Sequence, residues 1–281
     1  MPKKIITAII LIIIYSAIAG VEWFKLGFNN IFLREGLYLS TSLIAFIAGL
    51  FAIRSFGLSG KRAMTLILLT AGIGYWFLGE VLFNYYEYVL HVNPYPSIAD
   101  IFYILAYPML LAGFINEIRI ANINWKNINR ANLFLFILVS FLLSVIVAYF
   151  GIYQAYNPAE TFLTNSVAIS YGIGDLLLIL SNILILVLVW EFRGGKLSRV
   201  WLVMFVSFIF TLIADILFAI YTTQYDNQEW FYKSLLDSFW TAGYLLFAYA
   251  LFEFGFSIQD TYKVLLASKD KNTQENLVNK A

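Results

Sequence analysis

Cysteine is absent from the chain, and histidine occurs once, at His91. Without thiols there is no disulfide framework and no cysteine nucleophile, and a single imidazole excludes multi-histidine metal or haem centres. Charge is scarce too: 12% of residues are charged, where an ordinary soluble domain carries about a quarter. The sequence holds no P-loop, no G-x-S-x-G, no H-E-x-x-H and no zinc-ligand spacing, so it offers no recognisable catalytic constellation and calls for no metal or cofactor. Its basic residues sit in short turns, which leaves no footprint for nucleic acid. The last long apolar segment has Lys233 only at its edge, not the mid-helix lysine that a retinal Schiff base needs.

What remains is apolar. Hydrophobic residues make up 61% of the 281, and the mean hydropathy is +0.79. That composition predicts an all-α, polytopic membrane helix bundle whose first partner is the lipid bilayer. Eight segments approach the roughly 20 helical residues that a bilayer requires. They fall near 5–22, 37–54, 63–86, 98–118, 132–153, 168–190, 200–222 and 232–256. With the N-terminus placed inside, the cytoplasmic segments collect 15 of the 18 Lys and Arg, and the outer loops keep Lys25, Arg34 and Lys233. The positive-inside rule therefore predicts eight spans in the cell membrane with both termini cytoplasmic. Lys3-Lys4, an apolar run and Ala17-Ile18-Ala19 also resemble a cleaved secretory signal, which would leave seven spans. A polar tail, 257–281, follows the bundle; its first part is expected to prolong the eighth span and its end to be disordered.

The sequence is organised around the stretch from Pro94 to Phe114. Pro94 and Pro96 bar a helix from arriving upstream. Ser97 and Asp100 then stand in the spacing of a capping box, and Asp100, Tyr103 and Tyr107 share one helix face. The same grammar returns 137 positions later, where Ser234, Asp237, Trp240 and Tyr244 answer Ser97, Asp100, Tyr103 and Tyr107. In the third span of each half, Gly79-Glu80-Val81-Leu82-Phe83 is answered by Ala214-Asp215-Ile216-Leu217-Phe218. Spans 1–4 and 5–8 thus read as two copies of one unit, about 1–120 and 130–256. Four spans is an even number, so the copies form a parallel repeat.

Charges inside membrane spans are costly and by default mark function. Glu80, Asp100, Asp175, Asp215 and Asp237 all fall toward the outer level under this topology. Glu80 and Asp215 sit inside helices where no cap explains them. Asp100 and Asp237 suit a helix N-terminus, and Asp175, after Gly172 and Gly174, reads as an end-of-helix residue. If the copies pack face to face, Glu80, Asp100, Asp215 and Asp237 should converge in an outward-facing cup lined by Tyr103, Tyr107, Trp240 and Tyr244. Converging carboxylates repel, so such a cup would hold protons or a small cationic molecule, the latter favoured by the aromatic rings.

The run from Pro96 to Pro108, Pro-Ser-x-Ala-Asp-x-x-Tyr-x-x-x-Tyr-Pro, resembles the multi-span sensor region that precedes GGDEF and EAL domains in bacterial cyclic-di-GMP enzymes. Asp215 and the run Leu236-Asp237-Ser-Phe-Trp-x-x-Gly-Tyr resemble the second half of that region. The resemblance implies a membrane-embedded input module. No GGDEF, EAL or kinase domain follows Phe256, so cyclase activity is not implied. Three functions are weighed: a sensor acting on a separate cytoplasmic signalling protein, a small transporter or channel for a proton or small cation, and an intramembrane enzyme, which the lack of a recognisable catalytic constellation leaves with little support. A transporter needs polar groups near mid-membrane. Here the inner halves of spans 4 and 8 are apolar, Met109-Leu110-Leu111-Ala112 and Phe247-Ala248-Tyr249-Ala250, which favours a blind outer cup.

Overall fold

The computed structural model describes residues 3–26, 31–122 and 129–278. Among these residues the chain forms eight α-helices: α1 (Lys3–Trp23), α2 (Ile31–Phe56), α3 (Lys61–Asn84), α4 (Ile98–Ala121), α5 (Arg130–Val147), α6 (Phe162–Glu191), α7 (Lys196–Asp226) and α8 (Trp230–Val278). Two of them widen into π turns at their ends, α3 at Tyr85–Val89 and α5 at Ala148–Tyr153. All eight are long and apolar enough to cross a membrane, the architecture of a multi-pass membrane protein.

Local chemistry sets the helix starts. Ser97 caps α4: its hydroxyl accepts the Ala99 N–H at 3.1 Å, while the Asp100 carboxylate accepts the Ser97 N–H at 2.6 Å. The counterpart in the second half does not cap. α8 begins at Trp230, so Ser234 lies a turn inside it and donates instead to the Glu22 carbonyl at 3.3 Å. No proline precedes Ser234 as Pro94 and Pro96 precede Ser97, so nothing stops the helix from starting earlier. Thr161 caps α6 by accepting the Thr164 N–H at 3.1 Å, and α6 therefore starts well before position 168. Between α2 and α3 the chain turns through Gly57 and Gly60, both left-handed (φ 95° and 98°), a region that side chains avoid. The first part of the tail prolongs the eighth span, and α8 continues to Val278.

Helix contacts close a ring. α2 packs on α3, α3 on α4, α4 on α6, α6 on α7, α7 on α8, and α8 back on α2. α1 leans on α8 from outside, and α5 leans on α6. Of the apolar stretch in α8, 78% is buried, against 11% in α5, so α8 belongs to the centre and α5 to the lipid-facing rim. Exposed Ile9, Ile12 and Ile13 on α1, and Phe134, Leu138 and Phe141 on α5, suit contact with hydrocarbon. The interior is an aromatic column. Trp76 meets Tyr107, Phe208 and Tyr244 at ring distances of 5.9, 6.3 and 6.2 Å. Phe208 meets Phe114 and Phe247, and Trp201 and Phe254 continue the column further along the bundle.

Candidate functional site

Glycines let α4 approach its neighbours closely enough to build a site. A Cβ on Gly79 of α3 would stand 2.9 Å from the Tyr103 ring, and one on Gly174 of α6 would stand 2.4 Å from the Tyr107 ring. Each glycine immediately precedes an acid, Glu80 or Asp175, so each tyrosine of α4 arrives beside a carboxyl group.

Two clusters result. In the first, Glu80 accepts hydrogen bonds from Tyr38 of α2 at 3.1 Å and from Tyr244 of α8 at 3.0 Å. The Tyr103 ring of α4 packs against Gly79, next to Glu80 in the chain. Four helices thus meet around one carboxyl group. In the second, Asp215 of α7 accepts from the Trp240 indole of α8 at 2.8 Å, and Asp175 of α6 accepts from Tyr107 of α4 at 3.3 Å. The Asp175 and Asp215 carboxyl groups lie close enough to interact with each other. Two carboxylates held this near each other repel, which a proton or a cation between them would relieve.

Asp100 and Asp237 stand apart from these clusters. Asp100 completes the capping box of α4 and also accepts from Tyr171 at 2.6 Å. Asp237 accepts from Tyr225 at 2.9 Å and pairs with Lys233 at 3.3 Å. Of the eight residues expected to share one cup, six therefore fall into the two clusters and two have separate partners. Asp175 corrects the sequence reading: it is no end-of-helix residue but lies buried in mid-α6, because the Thr161 cap moves the helix start outward. The signal was present in the sequence, since Gly174-Asp175 repeats the Gly79-Glu80 pattern.

Other buried acids went unread. At the end of the bundle where α1 finishes and α2 and α8 begin, Glu22 and Glu35 sit with Arg34 and Lys233: Arg34–Glu35 at 2.8 Å, Arg34–Glu22 at 3.8 Å and Lys233–Glu35 at 3.5 Å. Lys233, in the first turn of α8, is buried. At the opposite end Arg62 pairs with Glu117 at 2.9 Å, and Glu253 pairs with Arg199 at 3.3 Å and Lys4 at 3.7 Å. Their signal is positional: Arg62 and Arg199 open α3 and α7, and antiparallel packing delivers them to the far ends of the α4 and α8 spans. Among the described residues no group of three metal-ligating side chains is assembled. Comparison with protein-family models, curated proteins and solved structures yields no match.

Proposed function

We propose that the chain is a membrane-embedded sensor module of the kind found before GGDEF and EAL domains. Its input is the acid–aromatic layer, and its output is the inner end of α8 acting on a separate cytoplasmic signalling protein. The observation that carries this reading is the continuity of α8. One unbroken helix, Trp230–Val278, places Trp240 on Asp215 and Tyr244 on Glu80, then runs past Phe256 for about 30 Å. A change at either acid is felt by a rod that leaves the bundle.

The cyclic packing supports reading the bundle as two copies, 1–120 and 130–256, related by an axis along the membrane normal. α2–α3–α4 follow the same order as α6–α7–α8. Glu80 with Tyr38 and Tyr103 occupies the place of Asp215 with Asp175 and Trp240, and Arg62–Glu117 the place of Arg199–Glu253. α4 and α8 each send one aromatic to each cluster, so they are the elements on which both halves act.

The ligand is a proton or a small cation. A carboxyl pair takes up either, and the surrounding rings add cation–π attraction for an organic cation. The aromatic column of Trp76, Phe208, Phe114 and Trp201 fills the space inward of the acids, which speaks for a blind site over a transport path.

The cysteine-free sequence makes the test direct. Arg54→Cys and Lys263→Cys, both exposed, take spin labels on α2 and α8 in proteoliposomes. External acidification or added tetramethylammonium should shift the distance between the labels, and Glu80→Gln with Asp215→Asn should abolish the shift. An unchanged distance sinks the proposal. Proton or cation uptake into the vesicles that Glu80→Gln stops would make the protein a transporter instead.

A further inference from the structure

Lys233 lies buried in the first turn of α8, among groups that three helices supply. Its ammonium nitrogen stands 3.5 Å from Glu35 Oε1 of α2 and 3.3 Å from Asp237 Oδ2 of α8, and it donates to the Tyr225 hydroxyl of α7 at 3.2 Å. The same nitrogen sits 4.6 Å from the centre of the Tyr225 ring. Glu35 Oε1 also accepts from Arg34 at 2.8 Å, so one carboxylate oxygen holds both cations. Arg34 carries the network on to Glu22 of α1 at 3.8 Å and to Gln228 of the α7–α8 turn at 3.2 Å. Gln228 in turn reaches Glu87, in the π turn that ends α3, at 3.4 Å. The network thus ties α1, α2, α3, α7 and α8 together at one end of the bundle.

It stands over both acid clusters. On α2, Tyr38, which donates to Glu80, comes one turn after Glu35. On α8, Trp240, which donates to Asp215, comes one turn after Asp237 and two after Lys233. The Tyr225 ring fills the step between them: Lys233 lies over it, and Trp240 meets it edge-on at 5.8 Å. Apolar side chains of similar size would join α2 to α8 at least as firmly, because a buried ion pair gains little once both charges have left water. What the ion pair adds is a condition. The closure holds only while a cation lies between Glu35 and Asp237, and another cation can take that place.

We infer that Lys233 is the latch of a lid over the acid–aromatic layer. Pinned between Glu35 and Asp237, it holds α8 against α2 and keeps water and ions from Glu80 and Asp215 until an arriving cation competes for the two carboxylates. With that layer as the input, the reading on which this role rests, events gain an order: the lid gives way first, and the acids beneath it are reached second.

A chain without cysteine lets closure be read directly. Thr241 comes one turn after Asp237 on α8 and lines the narrow gap between α1 and α8 together with Glu22 and Asp237. It is 1% exposed and its hydroxyl has no hydrogen-bond partner, so Thr241→Cys puts a thiol beneath the lid without breaking a bond. In nanodiscs, where both membrane faces meet water, a permanently cationic methanethiosulfonate should label this thiol slowly. Adding Lys233→Met should speed the labelling about tenfold or more. Glu35→Gln frees α2 while Lys233 keeps Asp237 and Tyr225; it should speed labelling too, and it stands in if Lys233→Met fails to fold. Arg62→Ala breaks an ion pair at the other end of the bundle and should leave the rate unchanged. Fast labelling with the lid intact, no acceleration in either lid variant, or equal acceleration by Arg62→Ala would each overturn the lid. Labelling reads closure alone. If the rates follow this order while the α2–α8 label distance ignores acid and tetramethylammonium, the sensor reading falls and the lid stands.

Discussion

The Tyr244 phenol on α8 donates to the Glu80 carboxyl group on α3 at 3.0 Å, joining positions separated by 164 residues in the chain. Both groups are buried, so the bond ties the two ends of the sequence together where water does not compete. Tyr244→Phe removes the donor and keeps the ring that packs on Trp76. Tyr38 still holds Glu80, so the loss should be about 1–3 kcal/mol and not a failure to fold. Unfolding in detergent measures it, and a neutral result would mean that the tyrosine is there only to pack.

The Arg62–Glu117 and Arg199–Glu253 ion pairs should differ in strength. Glu117 is fully buried, and the Arg62 side chain opposite it is 27% exposed. Arg62→Ala leaves that carboxylate with Thr65 as its remaining side-chain donor, at a cost of about 2–4 kcal/mol. Arg199 is 64% exposed, and Lys4 still faces Glu253, so Arg199→Ala should cost about 1 kcal/mol or less. Thermal melts of the two variants side by side decide the order.

Gly172→Ala tests the α5–α6 crossing. The new Cβ would sit 2.3 Å from a backbone oxygen, which no rotamer change relieves, so α5 must shift, at a cost of about 1–3 kcal/mol. Gly36→Ala in α2 meets nothing within 4 Å and should be neutral or stabilising by up to about 1 kcal/mol. If both variants melt with the wild type, the close crossing is not present in the folded protein.

These contrasts show what the sequence could and could not tell. Eight spans were legible because lipid demands long apolar runs, and the Ser97 cap because two prolines and an S-x-x-D spacing leave few alternatives. Glu80, Asp215 and their aromatics were legible because a charge in an apolar run stands out. Asp175 was misread because a glycine beside an acid suits a helix end as well as a close helix crossing; only the position of the Thr161 cap separates the two. Glu117 and Glu253 escaped for another reason. An acid near the end of a span looks solvated until antiparallel packing sets an arginine against it. Tyr38 and Tyr171 carried no local signal: a tyrosine in a membrane span is ordinary, and its role comes from the carboxyl group that another helix brings to it.

Tyr95, in the loop before α4, gives a pH signature outside the membrane spans. Burial, and then the nearby Asp100 and Glu160 carboxylates, push its phenol up to about 12 from the usual 10.0. Its hydroxyl donates to the Thr164 carbonyl at 3.1 Å, so the fold favours the neutral form. The stability that follows is complete below the unfolded value near 10 and is lost as pH rises through about 12. An ultraviolet difference titration between wild type and Tyr95→Phe should place the missing ionisation near 12; a missing step near 10 would show that this loop is open to water.

Orientation in the membrane is the last expectation, and the two ends of the bundle already differ in chemistry. One end gathers the loop of Tyr95, the start of α6 at Thr164, and the Gln228–Glu87 contact between the α7–α8 turn and the end of α3. The other gathers Lys4, Arg62 and Arg199 with their acids. By the order of its apolar segments, the sequence is expected to put 15 of its 18 basic residues on this side, and membrane insertion retains such segments in the cytoplasm. Reporter fusions after Lys271 and within 191–199 should therefore read as cytoplasmic, and fusions within 88–96 as external. Moving the α8 tail outside would take the output helix away from any cytoplasmic partner. An external reading at Lys271 would thus overturn the orientation and, with it, the role proposed for α8.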